Sequence, residues 1–172
     1  MSPPDDVTAG VDAETALANM PDGHKDELRL WLRLLTCANL IQAAIRRRLR
    51  LEFDTTLPRF DLLAQLERAG GGLTLGEISR RMMVSNGNVT GLAARLEAEG
   101  LIERRTSAAD RRAQTLRLTP RGRREFARQS AAHEAWIAEL LGGLSATDRA
   151  TLYRLLGRAK ASVKASLQES PE

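Results

Sequence analysis

The residue types that most often carry catalysis are few in this chain and badly placed to cooperate. The single cysteine, Cys37, sits among Leu34, Leu35 and Leu40, which suits a buried, inert thiol better than an activated one. His24 and His133 are far apart and no Cys/His cluster surrounds them, so the spacing of a metal site is missing. Ser85 has no histidine near it, and Gly70-Gly71-Gly72 lacks the lysine and Ser/Thr that complete a phosphate-gripping loop. These features argue against an enzyme and against a bound cofactor. What stands out instead is arginine. Residues 79 to 128 contain twelve arginines, no lysine and five acids, a local net charge of +7, while the remainder of the chain sums to −3. Guanidinium forks bind phosphates and base edges bidentately, so the chemistry this segment suits is nucleic-acid recognition. The bland alternative is a solvated surface in an arginine-biased chain of 23 Arg and 3 Lys, and composition leaves both open.

Spacing sharpens the reading. Ser85 is placed to cap a helix over residues 86–99, with Val89, Leu92, Ala93 and Leu96 on its apolar face and Gly100 just past its end. At 100° per residue the opposite side holds Gly87, Gly91, Ala94 and Ala98. Asn86 and Thr90 flank that side on one rim, Asn88 and Arg95 on the other. Asparagine suits adenine, arginine guanine, and threonine a thymine methyl, while the glycines permit close approach. The competing reading has Gly87 merely tolerated in the first turn and Arg95 paired with Glu99 at i,i+4.

The elements that must position this helix follow from periodicity. Thr74-Leu75-Gly76-Glu77 is a capping box that opens a short helix through Met82 or Met83, with Val84 and Ser85 turning into the helix just described. Strands are expected at 101–106 and 113–118, joined by a short polar link carrying Asp110, Arg111 and Arg112. Arginines at a hairpin tip suit a narrow, electronegative minor groove; the alternative is a solvated turn. Arg80 either touches phosphates or stays in solvent. Before this set lie a helix over residues 26–51 and one opened by Pro58 and stopped by Gly70. After it, Thr119-Pro120 starts a helix that Gly142-Gly143 breaks, and Ser145 caps a last one ending near Ser166. A helix-turn-helix followed at once by a hairpin is a winged helix. The fold class expected is therefore mainly α with a small β-hairpin wing. The long flanking helices carry more apolar surface than one small lobe covers, which points to a helical dimer interface.

These residues resemble the MarR family of bacterial regulators. The resemblance runs from about residue 28 to 165. It is carried by Leu75-Gly76-Glu77-Ile78-Ser79-Arg80-Arg81, Val89-Thr90-Gly91-Leu92, Leu96-Glu97-Ala98-Glu99-Gly100-Leu101-Ile102, Asp110-Arg111-Arg112 and Leu118-Thr119-Pro120. It implies a two-fold homodimer on double-stranded DNA, with a recognition helix in each major groove and a wing in the neighbouring minor groove. There Arg112 enters the groove, oriented by Asp110. Gly91 departs from the larger polar residues common at that position in the family. The resemblance also implies a small-molecule effector between the dimerisation and winged lobes. Trp31, Arg33, Leu35, Arg59, Phe60, His133 and Trp136 are the candidate lining, with interface packing the alternative for the tryptophans. An aromatic acid or its coenzyme A thioester is the expected ligand class.

The expected organisation is a flexible acidic N-terminal tail at 1–24, a dimerisation helix at 25–56, a winged helix-turn-helix domain at 57–119, C-terminal dimerisation helices at 120–166 and a tail at 167–172. No apolar run approaches the roughly 20 residues of a membrane span. The first residues do not read as a secretory leader, and the lone cysteine adds to a cytoplasmic expectation.

Overall fold

The computed structural model describes residues 25–106 and 114–169. The element order is α1 (Lys25–Phe53), α2 (Leu57–Ala69), α3 (Leu75–Met82), α4 (Asn86–Ala98), β1 (Ile102–Thr106), β2 (Gln114–Leu118), α5 (Pro120–Leu140) and α6 (Ala146–Glu169). This is the expected helical chain with one antiparallel hairpin. It divides into two compact units, the first ending at Glu134 and the second beginning at Ala135, and α5 runs through the boundary. The acidic tail expected over 1–24 lies outside the described residues.

The core of the first unit is aliphatic. Leu62, Leu63 and Leu66 of α2 meet Ile78 of α3, Val89, Ala93 and Leu96 of α4, and Ile102, Leu116 and Leu118 of the hairpin. Phe126 of α5 packs against this cluster from the edge. Strand alternation sets the register: Ile102 pairs with Leu118 and Arg104 with Leu116, so both β2 leucines turn inward while Arg117 faces out. A third strand reduced to one residue completes the sheet. The Leu73 N–H donates to the Leu116 carbonyl at 3.0 Å, and the Leu116 N–H returns a bond to Leu73 at 2.7 Å.

Local chemistry fixes the helix ends. Pro58 occupies the first turn of α2, and the N–H of Gly70, at φ +62°, closes the helix on the Leu66 and Glu67 carbonyls. The capping box of α3 is complete: the Thr74 hydroxyl accepts from the Glu77 N–H at 3.2 Å, and the Glu77 carboxylate accepts from the Thr74 N–H at 2.8 Å. Thr119 caps α5 by accepting from the Gly122 N–H at 3.0 Å. It also ties α5 back to the end of the helix-turn-helix, since its N–H donates to the Leu101 carbonyl at 3.0 Å and its hydroxyl to the Gly100 carbonyl at 2.7 Å.

Three expectations change. The last helix continues to Glu169 instead of ending near Ser166, because Ser166-Leu167-Gln168-Glu169 holds no breaker and the first proline beyond is Pro171. Cys37 is exposed in the single chain rather than buried. In α1 only Ile45 and Leu49, near its C-terminal end, are buried, while Leu28, Leu30, Trp31, Leu35 and Leu40 are exposed. Finally, α1 is long and apolar enough to pass for a membrane-crossing helix. Arg29 and Arg33 interrupt the run, which is why no uncharged stretch of that length stands out in the sequence. In the second unit Trp136 is buried, whereas Leu152, Leu155, Leu156, Val163 and Leu167 of α6 are exposed.

Candidate nucleic-acid interface

Helix α4 has one face in the core and one in solvent. Val89, Ala93 and Leu96 are fully buried. Asn86, Gly87, Asn88, Thr90, Gly91, Ala94 and Arg95 are all exposed, so the residues singled out for base reading share the outer surface. Ser85, as expected, accepts from the Asn88 N–H at 3.4 Å and caps the helix. The Thr90 hydroxyl donates to the Asn86 carbonyl at 2.8 Å, which leaves its methyl and its oxygen lone pairs for an outside partner. A Cβ placed on Gly87 or Gly91 would meet nothing within 4 Å. Nothing inside the chain therefore requires glycine at either helical position, although each costs about 1 kcal/mol relative to alanine.

The far end of α4 is clamped. Arg59 of α2 donates through both terminal nitrogens to the two carboxylate oxygens of Glu99, one contact at 2.8 Å. Arg104 of β1 holds Glu97 at 2.9 Å. The i,i+4 alternative for Arg95 is thereby excluded: Glu99 is taken by Arg59, forty residues away, and Arg95 forms no ion pair among the described residues. Arg80 on α3 is exposed and reaches the Gly76 carbonyl at 3.5 Å. Asp110, Arg111 and Arg112 lie outside the described residues, in the link between Thr106 and Gln114, the last paired residues of the hairpin.

The effector candidates separate. Phe60 and His133 are in contact, with ring centroids 4.9 Å apart, and Phe126 packs against Phe60 in a tilted arrangement at 5.5 Å. Burial raises the neighbouring Asp61 carboxyl above its ordinary range, an effect that the charge of His133 partly offsets. Trp31 and Leu35 are exposed on the N-terminal half of α1, as is Arg33. Trp136 belongs to the second unit. Arg59 is held by Glu99 through both terminal nitrogens, while its buried Nε has no hydrogen-bond partner among the described residues. Periodicity does not reveal a hollow of about 530 Å³ beside α4, lined by Thr56, Pro58, Met82, Val84, Asn88 and Arg95 among others. A ligand seated in it would touch two of the base-reading candidates.

The clamp makes a pH prediction. Hydrogen bonds from Arg59, followed by its charge and that of Arg121, hold the Glu99 carboxyl below its ordinary 4.5. A depressed acid stabilises the fold above pH 4.5, and that contribution fades as pH falls through the lowered value. Glu77 behaves alike, through the Thr74 N–H and then the Thr74 hydroxyl. Asp61 works in the opposite sense, since its raised value costs stability as pH climbs past 3.8. Glu99→Gln should therefore be less stable than the parent at neutral pH, with the gap closing below pH 4.5. Urea unfolding of both proteins at several pH values measures it; a gap independent of pH would rule out the Arg59–Glu99 pair as its source.

The MarR family model matches residues 53–113. BadR, a transcriptional activatory protein of Rhodopseudomonas palustris, is 33% identical over 151 residues, covering 85% of this chain and 80% of its own. A MarR family transcriptional regulator from Silicibacter pomeroyi is 33% identical, with a TM-score of 0.70 over 84% of this chain and 99% of that one. FabT of Streptococcus pneumoniae, solved in complex with DNA, is 25% identical, with a TM-score of 0.68 over 81% of this chain and 98% of that one. The buried and exposed faces of α4, its capped start, the hairpin that follows and these likenesses agree: the chain belongs to the MarR family of winged helix-turn-helix transcriptional regulators.

Proposed function

We propose that the protein is a homodimeric, sequence-specific DNA-binding regulator, a repressor that leaves a pseudo-palindromic operator when a small organic anion binds. The observation that carries this reading is the outer face of α4. Two glycines that nothing in the chain requires lie between rims of Asn86, Asn88, Thr90 and Arg95. A surface meant only for solvent gains nothing from helix-interior glycine, whereas one pressed into a groove does. In this reading residues 57–119 bind DNA, and the helices of 25–56 and 120–166 join the two copies. Arg112, oriented by Asp110, takes the minor groove with Arg111, and Arg80 takes phosphate.

The effector is an aromatic acid or its coenzyme A thioester. The contact of Phe60 with His133 supports this, since it sets a buried aromatic ring beside an imidazole able to hydrogen-bond a carboxylate. Whether release represses or activates depends on where the operator lies relative to the promoter, and the Rhodopseudomonas relative is named an activator. The rival reading is a ligand-independent architectural DNA binder, or a protein antagonist that keeps the fold. Exposed asparagines and a threonine on one helical face favour sequence reading over both.

Fluorescence anisotropy on an operator selected from random DNA tests the proposal. Asn88→Ala or Arg95→Ala should lose about 1–3 kcal/mol on the operator and relax base preference. Arg112→Ala should weaken all sequences more evenly and flatten the salt dependence. Repeating the titration with benzoate and benzoyl-coenzyme A tests release. A hundredfold loss of affinity requires the ligand to favour the DNA-incompetent state by about 2.7 kcal/mol, and operator must then weaken ligand binding by the same factor. Equal wild-type affinity for operator and random DNA would refute the reading.

A further inference from the structure

Met83 occupies the turn between α3 and α4 in a conformation that suits glycine. Its backbone is left-handed, φ 55° and ψ 41°, and its N–H closes α3 on the Ser79 carbonyl. A residue with a Cβ is disfavoured there, and glycine would make the same backbone bond without strain. Packing supplies no compensation: the Met83 side chain is 92% exposed, the most exposed large apolar group among the described residues. The turn is otherwise well held, with the Val84 N–H also donating to the Ser79 carbonyl and the Ser79 hydroxyl donating to the Val84 carbonyl. The site thus combines two unfavourable choices, a strained backbone and a bare thioether, in a rigid frame. Strain that persists without a structural return points to contact with something outside the chain.

The place of the turn says what that partner is. Met83 lies two residues before the Ser85 cap, at the same end of α4 as Asn86 and Asn88. Helix-turn-helix proteins bring the N-terminal residues of the second helix to base edges. The one apolar group that the major groove presents is the C5-methyl of thymine. A long, flexible, polarisable side chain at the mouth of the groove is well suited to cover it. We propose that Met83 is a specificity-determining residue that reads a thymine methyl at the edge of each half-site. This inference rests on the DNA-binding reading above.

The test uses the full-length protein and the operator it selects from random DNA. Met83→Gly should raise Tm by about 2–4 °C, the shift expected when a local strain of this kind is released in a chain of this size. It should stay dimeric by sedimentation, yet bind operator about fourfold to fifteenfold more weakly, the scale of one or two buried methylenes. Met83→Leu, which keeps an apolar branch, should bind within about twofold of the parent. Replacing thymines one at a time with deoxyuridine removes only the methyl. At one position per half-site this should weaken the parent about fourfold and leave Met83→Gly unaffected. Unchanged operator affinity in Met83→Gly would overturn the inference, as would equal deoxyuridine penalties in both proteins or dissociation of the variant to monomers. A parent that enriches no sequence at all would instead sink the DNA-binding reading, and this inference with it.

Discussion

Gly122→Ala should lose about 3–5 kcal/mol of stability, a large part of the 5–15 kcal/mol that holds a typical domain together. A Cβ at this position would sit 1.9 Å from the Leu101 carbonyl oxygen and 2.8 Å from its carbon. Those are backbone atoms, so no side-chain rotation relieves the overlap. Moving Leu101 aside breaks two bonds at once, since its carbonyl accepts from Thr119 and its N–H donates to Leu96 at 2.9 Å. Overpacking alone costs about 1–3 kcal/mol, and each lost hydrogen bond adds about 1. Gly157→Ala is the control. Its Cβ meets nothing within 4 Å in the middle of α6, so it should be neutral or stabilising by up to about 1 kcal/mol. Urea unfolding at one fixed protomer concentration measures both, because under the proposed dimeric assembly stability depends on concentration. A Gly122→Ala protein within 1 kcal/mol of the parent would show that α5 can start elsewhere.

Leu156→Glu should have the largest effect on function. Leu152, Leu155, Leu156, Val163 and Leu167 recur at helical spacing along α6 and are 41–73% exposed. Such a stripe calls for a cover in water, and under the proposed assembly that cover is a second copy. A glutamate at an exposed position costs the lone chain little, but within a dimer interface it buries an unpaired charge. The variant should remain helical by circular dichroism and sediment near the 18.9 kDa of one chain. Operator affinity should fall between about 100- and 10,000-fold, since two tethered half-site contacts become one. A dimeric Leu156→Glu protein with unaltered affinity would place the interface elsewhere.

Legibility in the sequence followed the range of each interaction. The caps at Thr74, Ser85 and Thr119 are local signatures and match the observed hydrogen bonds. Leu116 and Leu118 alternate against Arg117 in sequence and in burial. The Leu73–Leu116 bridge left no trace, because a strand of one residue has no period. The partner of Glu99 is hidden for a related reason. Sequence offers Arg95 one turn away and gives no sign of Arg59 across forty residues, and only the packing of α2 beside α4 decides between them. Cys37 was misplaced because apolar residues ring α1 almost entirely, so periodicity does not say which side the chain itself covers. Met83 left no sign either, since a left-handed backbone at a methionine carries no composition signal.

The root of α5 has a mechanical consequence. Thr119 and Gly122 pin the first turn of this 21-residue helix to Gly100 and Leu101, just past the end of α4. The contacts land on backbone carbonyls, so any rotation of that first turn passes through Gly100 and Leu101 to the end of α4. The corner between α4 and the start of α5 is therefore a weld and not a hinge: its two helix ends turn as one piece or not at all.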